Sequence, residues 1–285
     1  LTYATKGPGS TYEPNYSDLL EPERGQDIIP NEAQAAAFRA AVESWGAVAN
    51  INVVEVAENA NTTADIRFAY SRAIDVLELG SDFTFNIFAF AYLPQSTYLG
   101  GDIWADPDTQ GLDYSVSTTG KGHFLLLHEL GHAMLGLTDV TAEAGLNGAR
   151  LGANEDFKTF TVMSYNASPG ISNDLNNPAI SVPTTPMLYD ILAAQHIYGP
   201  NFSHNAGNTS YRFEPGQAIY ETIWDGGGID SLDWSNQTSA AFINLNDGEF
   251  SNLGPARTDG INTFNNTLAI AFNTVIENGF GWCRR

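Results

Sequence analysis

The chain has 285 residues, of which 33 are acidic and 12 are basic, and its formal net charge at pH 7 is −21. Such a charge repels nucleic acid and anionic membrane surfaces, so we expect neither as a partner. The lone cysteine, Cys283, excludes an intrachain disulfide. No apolar run approaches the roughly 20 residues needed to span a bilayer, and we expect no membrane insertion.

Three helices are predicted before residue 200. The first covers 30–46, where a proline precedes an alanine-rich segment and Gly46 is expected to end the helix. The second, at 120–136, is densely apolar on one side and is therefore expected to be buried. The third covers 186–198 and stops at a Gly-Pro pair.

Strands and loops are predicted between these helices. Strand-like segments lie at 51–56, 66–70, 85–93 and 103–104. The stretch 138–181 is rich in glycine, asparagine and aspartate and is predicted to be loop, except around 157–165.

The character of the sequence changes after Pro200. Helical periodicity disappears, and short alternating runs such as 241–246 and 268–272 are separated by glycine and asparagine turns. We therefore predict two domains, one at 1–200 that contains the three helices and a small all-β module at 201–285.

One segment of this module, Gly226–Asp233, resembles a half-turn of the calcium-binding nonapeptide repeat. Asp230 and Asp233 are its candidate calcium ligands. No adjacent repeat supplies the other half of such a site, so we expect at most weak calcium binding.

The segment from His128 to His132 has the spacing of a metal-binding motif. Four residues apart on a helix, at roughly 100° per residue, the two imidazoles lie on one face and can bind one metal ion. Glu129 lies beside that face, where it can take a proton from water without displacing a ligand. Zinc suits such a site because it accepts nitrogen and oxygen ligands and lowers the pKa of a bound water to roughly 7.

A zinc site of this kind needs a third protein ligand. His123 lies roughly 140° around the helix from the first motif histidine and is not expected to contribute. Gly136 can end the helix in a left-handed conformation and turn the chain back, which makes Asp139 the preferred third ligand. Glu143 and Asp156 are poorer alternatives.

With these residues the sequence resembles the serralysins, secreted bacterial zinc endopeptidases of the metzincin clan. The likeness covers most of the chain and keeps the family's order. The matching segments are the first strand at 1–4, the first helix at 40–50, the rim strand at 100–104, the Met-turn at 162–165, the closing helix at 186–199, and the start of the β-sandwich at 223–235, 243–246 and 275–278.

The resemblance implies a metzincin-like α/β (α+β) catalytic domain with a twisted mixed sheet, followed by a small all-β sandwich-like module. It also implies an extracellular, secreted enzyme that acts on protein or peptide substrates, and we expect a monomer. Met163 would form an apolar floor under the metal, and Tyr165 would ligate zinc or stabilise the oxyanion. The rim strand would hold an extended peptide by main-chain hydrogen bonds through Gly101, Asp102, Ile103, Trp104 and Ala105.

The sequence departs from the family pattern in its metal-binding motif and in its calcium repeats. The family has H-E-x-x-H-x-x-G-x-x-H, whereas here one extra residue separates His132 from Gly136, and Asp139 stands in place of the third histidine. Aspartate is shorter than histidine, so its backbone must approach the metal more closely, and the extra residue is expected to lengthen the helix end or form a bulge. This sequence also lacks the family's block of glycine-rich calcium repeats.

The expected function is zinc-dependent endoproteolysis with Glu129 as the general base. Two alternatives belong to other classes of protein. One is a catalytically silent binding protein that keeps the metzincin fold, and the other is a calcium-dependent structural module. Neither role needs a general base, so the intact Glu129 argues against both.

Overall fold

The computed structural model describes residues 1–13, 16, 27–71, 88–107, 113–115, 120–140, 151–177 and 179–281. It forms two compact units, one of Leu1–Glu43 with Asn52–Thr138 and one of Ser44–Ile51 with Asp139–Arg285. Glu143, Cys283 and residues 85–87 of a predicted strand lie outside the described residues. Within the described part of the chain, no helix combines the length and apolar character needed to cross a membrane.

The first unit contains a six-stranded mixed sheet, as the sequence predicts. Its strands are β1 (Thr2–Thr5), β2 (Asp27–Ile28), β3 (Val54–Glu55), β4 (Ile66–Ser71), β5 (Ala89–Ala91) and β6 (Asp102–Ala105). The order is β3-β1-β4-β6-β5, with β2 beside β4. Along this path the strands run parallel, except that β5 is antiparallel to β6.

The first helix, α1 (Glu32–Val48), continues past Gly46, the residue expected to end it. Trp45 and Val48 on either side of that glycine are buried. Their burial outweighs the roughly 1 kcal/mol that a glycine costs inside a helix. Nearer its start, Phe38 stacks on Phe68 of β4 with ring centroids 4.8 Å apart, which packs the helix on the sheet.

The second helix, α2 (Gly120–Leu135), agrees with the predicted one in position and in burial. Its buried residues include His123, His128 and Glu129 as well as the apolar side chains. Burying polar groups is costly unless partners satisfy them. The helix thus holds these three polar side chains, two of them from the His128–His132 motif, inside the protein.

The second unit contains α3 (Leu188–Tyr198) and a set of short strands. One sheet has the order β10 (Phe250–Ser251), β13 (Leu268–Ile270), β8 (Glu221–Ile223), and another has the order β14 (Asn278–Phe280), β9 (Ser231–Asp233), β7 (Ser210–Arg212). A separate pair joins β11 (Arg257–Thr258) to β12 (Thr263–Phe264). A hydrophobic core of this unit includes Leu232, Trp234, Leu253, Leu268 and Ile270.

Two local predictions in this unit are wrong. The run 241–246 forms no strand, and its described residues contribute a single bridge between Phe242 and Asn252. Asn244 accepts a hydrogen bond from the backbone of Asn246 and so favours a turn over a strand. The segment 157–165, expected to interrupt the loop, has turns but neither helix nor strand.

The division between the units falls after Thr138, whereas the predicted domain boundary lies near residue 200. Backbone hydrogen bonds explain the difference. The N–H of Ser181 donates to the carbonyl of Thr258 at 2.8 Å, and that of Thr184 donates to the carbonyl of Tyr220 at 2.9 Å. These bonds join the segment before residue 200 to the strands that follow it.

Candidate metal centre and active site

The two motif histidines face each other on α2. Nε2 of His128 lies 3.1 Å from Nε2 of His132, and the two rings are nearly perpendicular. Two nitrogens bound at roughly 2.0–2.1 Å to a tetrahedral zinc ion stand about 3.3 Å apart. The measured separation is therefore close to the one that a shared zinc ion requires.

The second ring nitrogen of His132 fixes its tautomer. Nδ1 lies 2.6 Å from the carbonyl oxygen of Leu137. Because a carbonyl only accepts, Nδ1 carries the proton and donates it, which leaves the Nε2 lone pair for a metal.

The same turn ends the helix. Gly136 has a φ of 68°, the left-handed conformation predicted for it. The N–H of Leu137 donates a hydrogen bond to the carbonyl of Gly131, six residues earlier in the chain. The corresponding hydrogen bond of a Schellman motif joins residues that are five apart. The helix end is thus closed by a hydrogen bond that spans one residue more, and this widened closure accommodates the extra residue between His132 and Gly136. The same turn brings the Leu137 carbonyl to His132.

Asp139 lies next to the two histidines. One carboxylate oxygen of Asp139 and one ring nitrogen from each histidine lie within 4.8 Å of one another. Tyr165, whose side chain is half exposed, donates its hydroxyl hydrogen to Oδ2 of Asp139 at 2.9 Å. The residues present thus fit a zinc ion by donor chemistry and by spacing.

Among the described residues, His123 and Asp156 do not join this cluster. His123 is buried on α2 but lies outside the group of described residues that could share one metal. Asp156 accepts hydrogen bonds from the Ser164 hydroxyl at 2.6 Å and from the side-chain amide of Asn166 at 3.0 Å. Its carboxylate supports the turn around Ser164.

Glu129 is 3 % exposed and lies beside His128 in the sequence. Burial, together with the charges of neighbours that include Glu129, raises the pKa of Tyr114 well above its usual value. The carboxylate of Glu129 therefore lies in a region from which water is largely excluded, next to the histidine pair. A carboxylate in such surroundings is a suitable general base.

A residue that the sequence analysis missed holds the Met-turn. Asp190 of α3 is buried and accepts hydrogen bonds from the Thr161 hydroxyl at 2.6 Å and from the N–H groups of Val162 and Met187 at 2.7 and 2.8 Å. An acidic residue at the third position of a helix often bonds back to the N-cap N–H, and this signal was available. Met163, which follows Val162, is 2 % exposed.

A lysine side chain forms a hydrogen bond with the backbone of the segment after Met163. Lys158 is buried and donates from Nζ to the carbonyl of Tyr165 at 2.5 Å. Burial lowers the pKa of Lys158 to about 8. The backbone that carries the Tyr165 hydroxyl is therefore anchored inside the second unit.

The predicted rim strand does not lie at a rim. β6 is hydrogen-bonded on one side to β4 and on the other to β5, and its residues Asp102, Ile103, Trp104 and Ala105 are buried. Gly101, with a φ of 83°, turns the chain from β5 into the sheet interior. The proposed peptide-binding edge at 101–105 is therefore wrong, because its main-chain groups are already paired. Of the described strands, β5 is the outermost at this end of the sheet.

The two candidate calcium ligands have different surroundings. Asp233 forms an ion pair with Arg212 at 2.9 Å. Asp230 is fully buried, and its Oδ1 accepts a hydrogen bond from the backbone of Thr209 at 2.7 Å. Glu277 accepts from the backbone N–H of Asp230 at 2.6 Å.

Burial, and then the charges of Asp225 and Glu277, raise the pKa of Asp230. Asp225 itself accepts hydrogen bonds from the Gly227 N–H and the Tyr211 hydroxyl. The carboxylates that lie near one another are thus Asp225, Asp230 and Glu277. Asp233 instead forms its ion pair with Arg212.

Comparison with known proteins gives matches to two family models and to several curated relatives. The matrixin family model matches residues 20–147, which include α2, and the model for the peptidase M10 serralysin C terminal matches residues 189–283. These matches support a metalloprotease of the serralysin type. A serralysin of Photorhabdus laumondii subsp. laumondii is 31 % identical over 272 residues, and serralysin C of Dickeya chrysanthemi is 30 % identical over 267. Each alignment covers 88 % of this chain and 52 % of the relative, so the chain spans about half the length of these serralysins.

Proposed function

We propose that this serralysin-type chain is a zinc-dependent endopeptidase that cleaves extended protein or peptide substrates outside the cell, as a monomer. The observation that carries the proposal is the convergence of His128 Nε2, His132 Nε2 and the Asp139 carboxylate within 4.8 Å. These three side chains would hold the zinc ion. When bound, zinc supplies Lewis acidity that polarises a peptide carbonyl and makes water nucleophilic near neutral pH.

Glu129 is the general base in this proposal. Its buried carboxylate takes a proton from the attacking water and later delivers that proton to the leaving amine. A low-dielectric environment strengthens this role, because few waters compete for the carboxylate. The two alternatives, a silent binding protein and a calcium-dependent structural module, give no reason for an acidic side chain to be buried there.

Tyr165 supplies a mobile hydroxyl. Its hydrogen bond to Asp139 Oδ2 holds the ring close to the ligand set, and half of the side chain is exposed. On release from Asp139 the hydroxyl donates to the oxyanion that forms on the scissile carbonyl. Met163, buried beside the backbone of Val140, forms the apolar floor of the site.

The substrate is bound along β5 in this proposal, in place of the strand predicted from the sequence. Two contacts support this: α2 lies close to β5, and Gly136 at the end of α2 faces Pro94 just after β5. An extended peptide that pairs with an edge strand is recognised mainly through its backbone. We therefore expect broad side-chain tolerance outside the pocket nearest the metal.

Calcium, where it binds, is assigned to Asp230 with Asp225 and Glu277. All three offer the oxygen ligands that calcium prefers. Hydrogen bonds from the protein already occupy most of these oxygens, which supports the expectation of weak binding.

One experiment tests the assignment. The purified chain is analysed for zinc and incubated with an unfolded protein, with no chelator, with 1,10-phenanthroline or with a calcium-selective chelator. We expect one zinc per chain, cleavage that phenanthroline abolishes, and little effect of the calcium chelator. Stoichiometric zinc without any cleavage would favour the silent binding protein, and loss of cleavage with the calcium chelator alone would favour a calcium-dependent role.

A further inference from the structure

One arginine in the second unit differs from the others that the structure describes. Three arginines form ion pairs with carboxylates: Arg39 with Glu55, Arg67 with Glu58 and Arg212 with Asp233. The fourth, Arg257 of β11, is 5 % exposed and forms no ion pair with any described residue. Since a guanidinium stays protonated at all ordinary pH values, a full positive charge is buried there.

The partners of Arg257 are all neutral. Its guanidinium donates to the carbonyl of Asn265 at 2.8 Å, to the hydroxyl of Ser168 at 3.1 Å and to the hydroxyl of Thr159 at 3.3 Å. The guanidinium carbon lies 4.0 Å from the ring centre of Tyr220. Burial raises the pKa of Tyr220, so the phenol remains protonated and carries no charge. These partners accept hydrogen bonds from the guanidinium, but none of them is a counterion for its charge.

A second buried cation lies at the same place. Arg257 and Lys158 both line one small pocket, and Lys158 is 3 % exposed. The other polar groups around the pocket include the hydroxyls of Ser168, Ser181 and Tyr220. Ser181 accepts a hydrogen bond from the Thr258 backbone, which leaves its own hydroxyl hydrogen to donate.

The pocket selects its occupant by size and by polarity. The space it encloses is about that of one water molecule. Ala167, Ile171 and Phe264 supply apolar walls. Such walls suit a weakly hydrated ion, and the small volume favours a monatomic ion over phosphate or sulfate. A water molecule would fit but would not balance the charge.

We propose that this pocket is a binding site for a single halide ion, chloride under ordinary conditions, held by Arg257, Lys158 and the surrounding hydroxyls. The halide supplies to Arg257 the counter-charge that no described carboxylate provides, while Asp156 already acts on the charge of Lys158. It also links β11 to the segment 158–168, because Lys158 and Ser168 are both pocket residues. That segment carries Tyr165, whose carbonyl accepts the Lys158 hydrogen bond.

The experiment measures thermal unfolding of the full chain as chloride or bromide replaces gluconate at constant ionic strength. We expect a melting temperature that rises by a few degrees and levels off, since a ligand that binds only the folded state stabilises by mass action. Arg257→Gln should abolish the halide response. Arg212→Gln, which removes the same charge from a partly exposed ion pair, should keep it.

Crystals soaked in bromide supply a readout that does not depend on a variant folding. We expect an anomalous peak within hydrogen-bonding range of the Arg257 guanidinium. The proposal is overturned by a melting temperature indifferent to halide, by a response that persists in Arg257→Gln, or by bromide peaks at other positions only. A halide bound at the zinc site would give the second of these results.

Discussion

Two clusters of ionisable side chains among the described residues differ in the ligand atoms that they offer. On and just after α2, two imidazole nitrogens and one carboxylate converge. In the second unit three carboxylates, Asp225, Asp230 and Glu277, lie near one another. Nitrogen with oxygen favours zinc, whereas oxygen alone favours calcium.

The clusters also differ in how the protein uses the ligand atoms. Nδ1 of His132 forms a hydrogen bond with a backbone carbonyl, and Nε2 of the same ring faces His128. In the acidic cluster, backbone N–H groups and the Tyr211 hydroxyl bond to the carboxylates themselves. The first cluster therefore leaves ring nitrogens for the metal that we propose, while hydrogen bonds from the chain itself largely satisfy the second.

The largest effect expected in the metal cluster comes from Glu129→Ala. If Glu129 is the general base and not a ligand, kcat should fall by roughly 10²–10⁴ while zinc content and the melting temperature stay near those of the wild type. Peptide hydrolysis and metal analysis on the same preparation check this. Loss of zinc in the variant would assign Glu129 to the ligand set and contradict the proposed roles.

Asp139→Ala tests whether the third ligand is the carboxylate. Two histidines alone hold zinc poorly, so the affinity should fall by at least the roughly 10–100-fold that follows loss of a supporting partner. Competition with a zinc-sensitive dye measures the change. Asp139→His should not restore the site, because the longer ring overshoots on a backbone placed for aspartate. Stoichiometric zinc and full activity in Asp139→Ala would disprove the assignment.

Tyr165→Phe separates catalysis from metal binding. The substitution removes the hydroxyl that bonds to Asp139 and that we assign to the oxyanion. Loss of one oxyanion donor costs about 10²–10³ in kcat, and KM should change little. Zinc content serves as the control. A variant with normal kcat would show that the hydroxyl only positions Asp139.

The sequence predicted the metal helix well for a physical reason. The spacing of His128 and His132 and the left-handed Gly136 are local features, set by helical periodicity and by the freedom of glycine. The identity of the strand at the substrate-binding edge, by contrast, is not determined by local sequence. Which strand lies at the edge depends on pairing between β4, β5 and β6, and residues 100–104 carry no signal of that order.

Two further residues show the same limit. Asp190 accepts a hydrogen bond from the backbone next to Met163, which lies 27 residues earlier in the chain. Arg257 meets Thr159 and Ser168 across a separation of 98 and 89 residues. Their partners are chosen by tertiary packing, which the pattern of a single sequence does not specify. The extra residue before Gly136, by contrast, was predicted to alter the helix end, and the widened closure agrees with that expectation.

The smallest effect expected concerns Asp230→Asn in the acidic cluster. Because burial and the neighbouring carboxylates raise the pKa of Asp230, its contribution to stability is fully present below its ordinary pKa and is lost as the pH rises through the folded-state value. Asparagine imitates the protonated form and keeps an oxygen for the Thr209 N–H. In calcium-free buffer at pH 7 the variant should therefore be slightly more stable than the wild type, by less than about 1 kcal/mol.

Millimolar calcium should reverse that order, because the ion needs the carboxylate oxygen that the variant lacks. Micromolar calcium should change neither protein, in contrast to the effect of zinc at the other cluster. Melting curves of both proteins at two calcium concentrations and at pH 5 and 7 measure these differences. A large stabilisation of the wild type at micromolar calcium would mean that the hydrogen bonds to Asp225 and Glu277 yield to the ion, and that the second cluster is arranged for a metal as we propose for the first one.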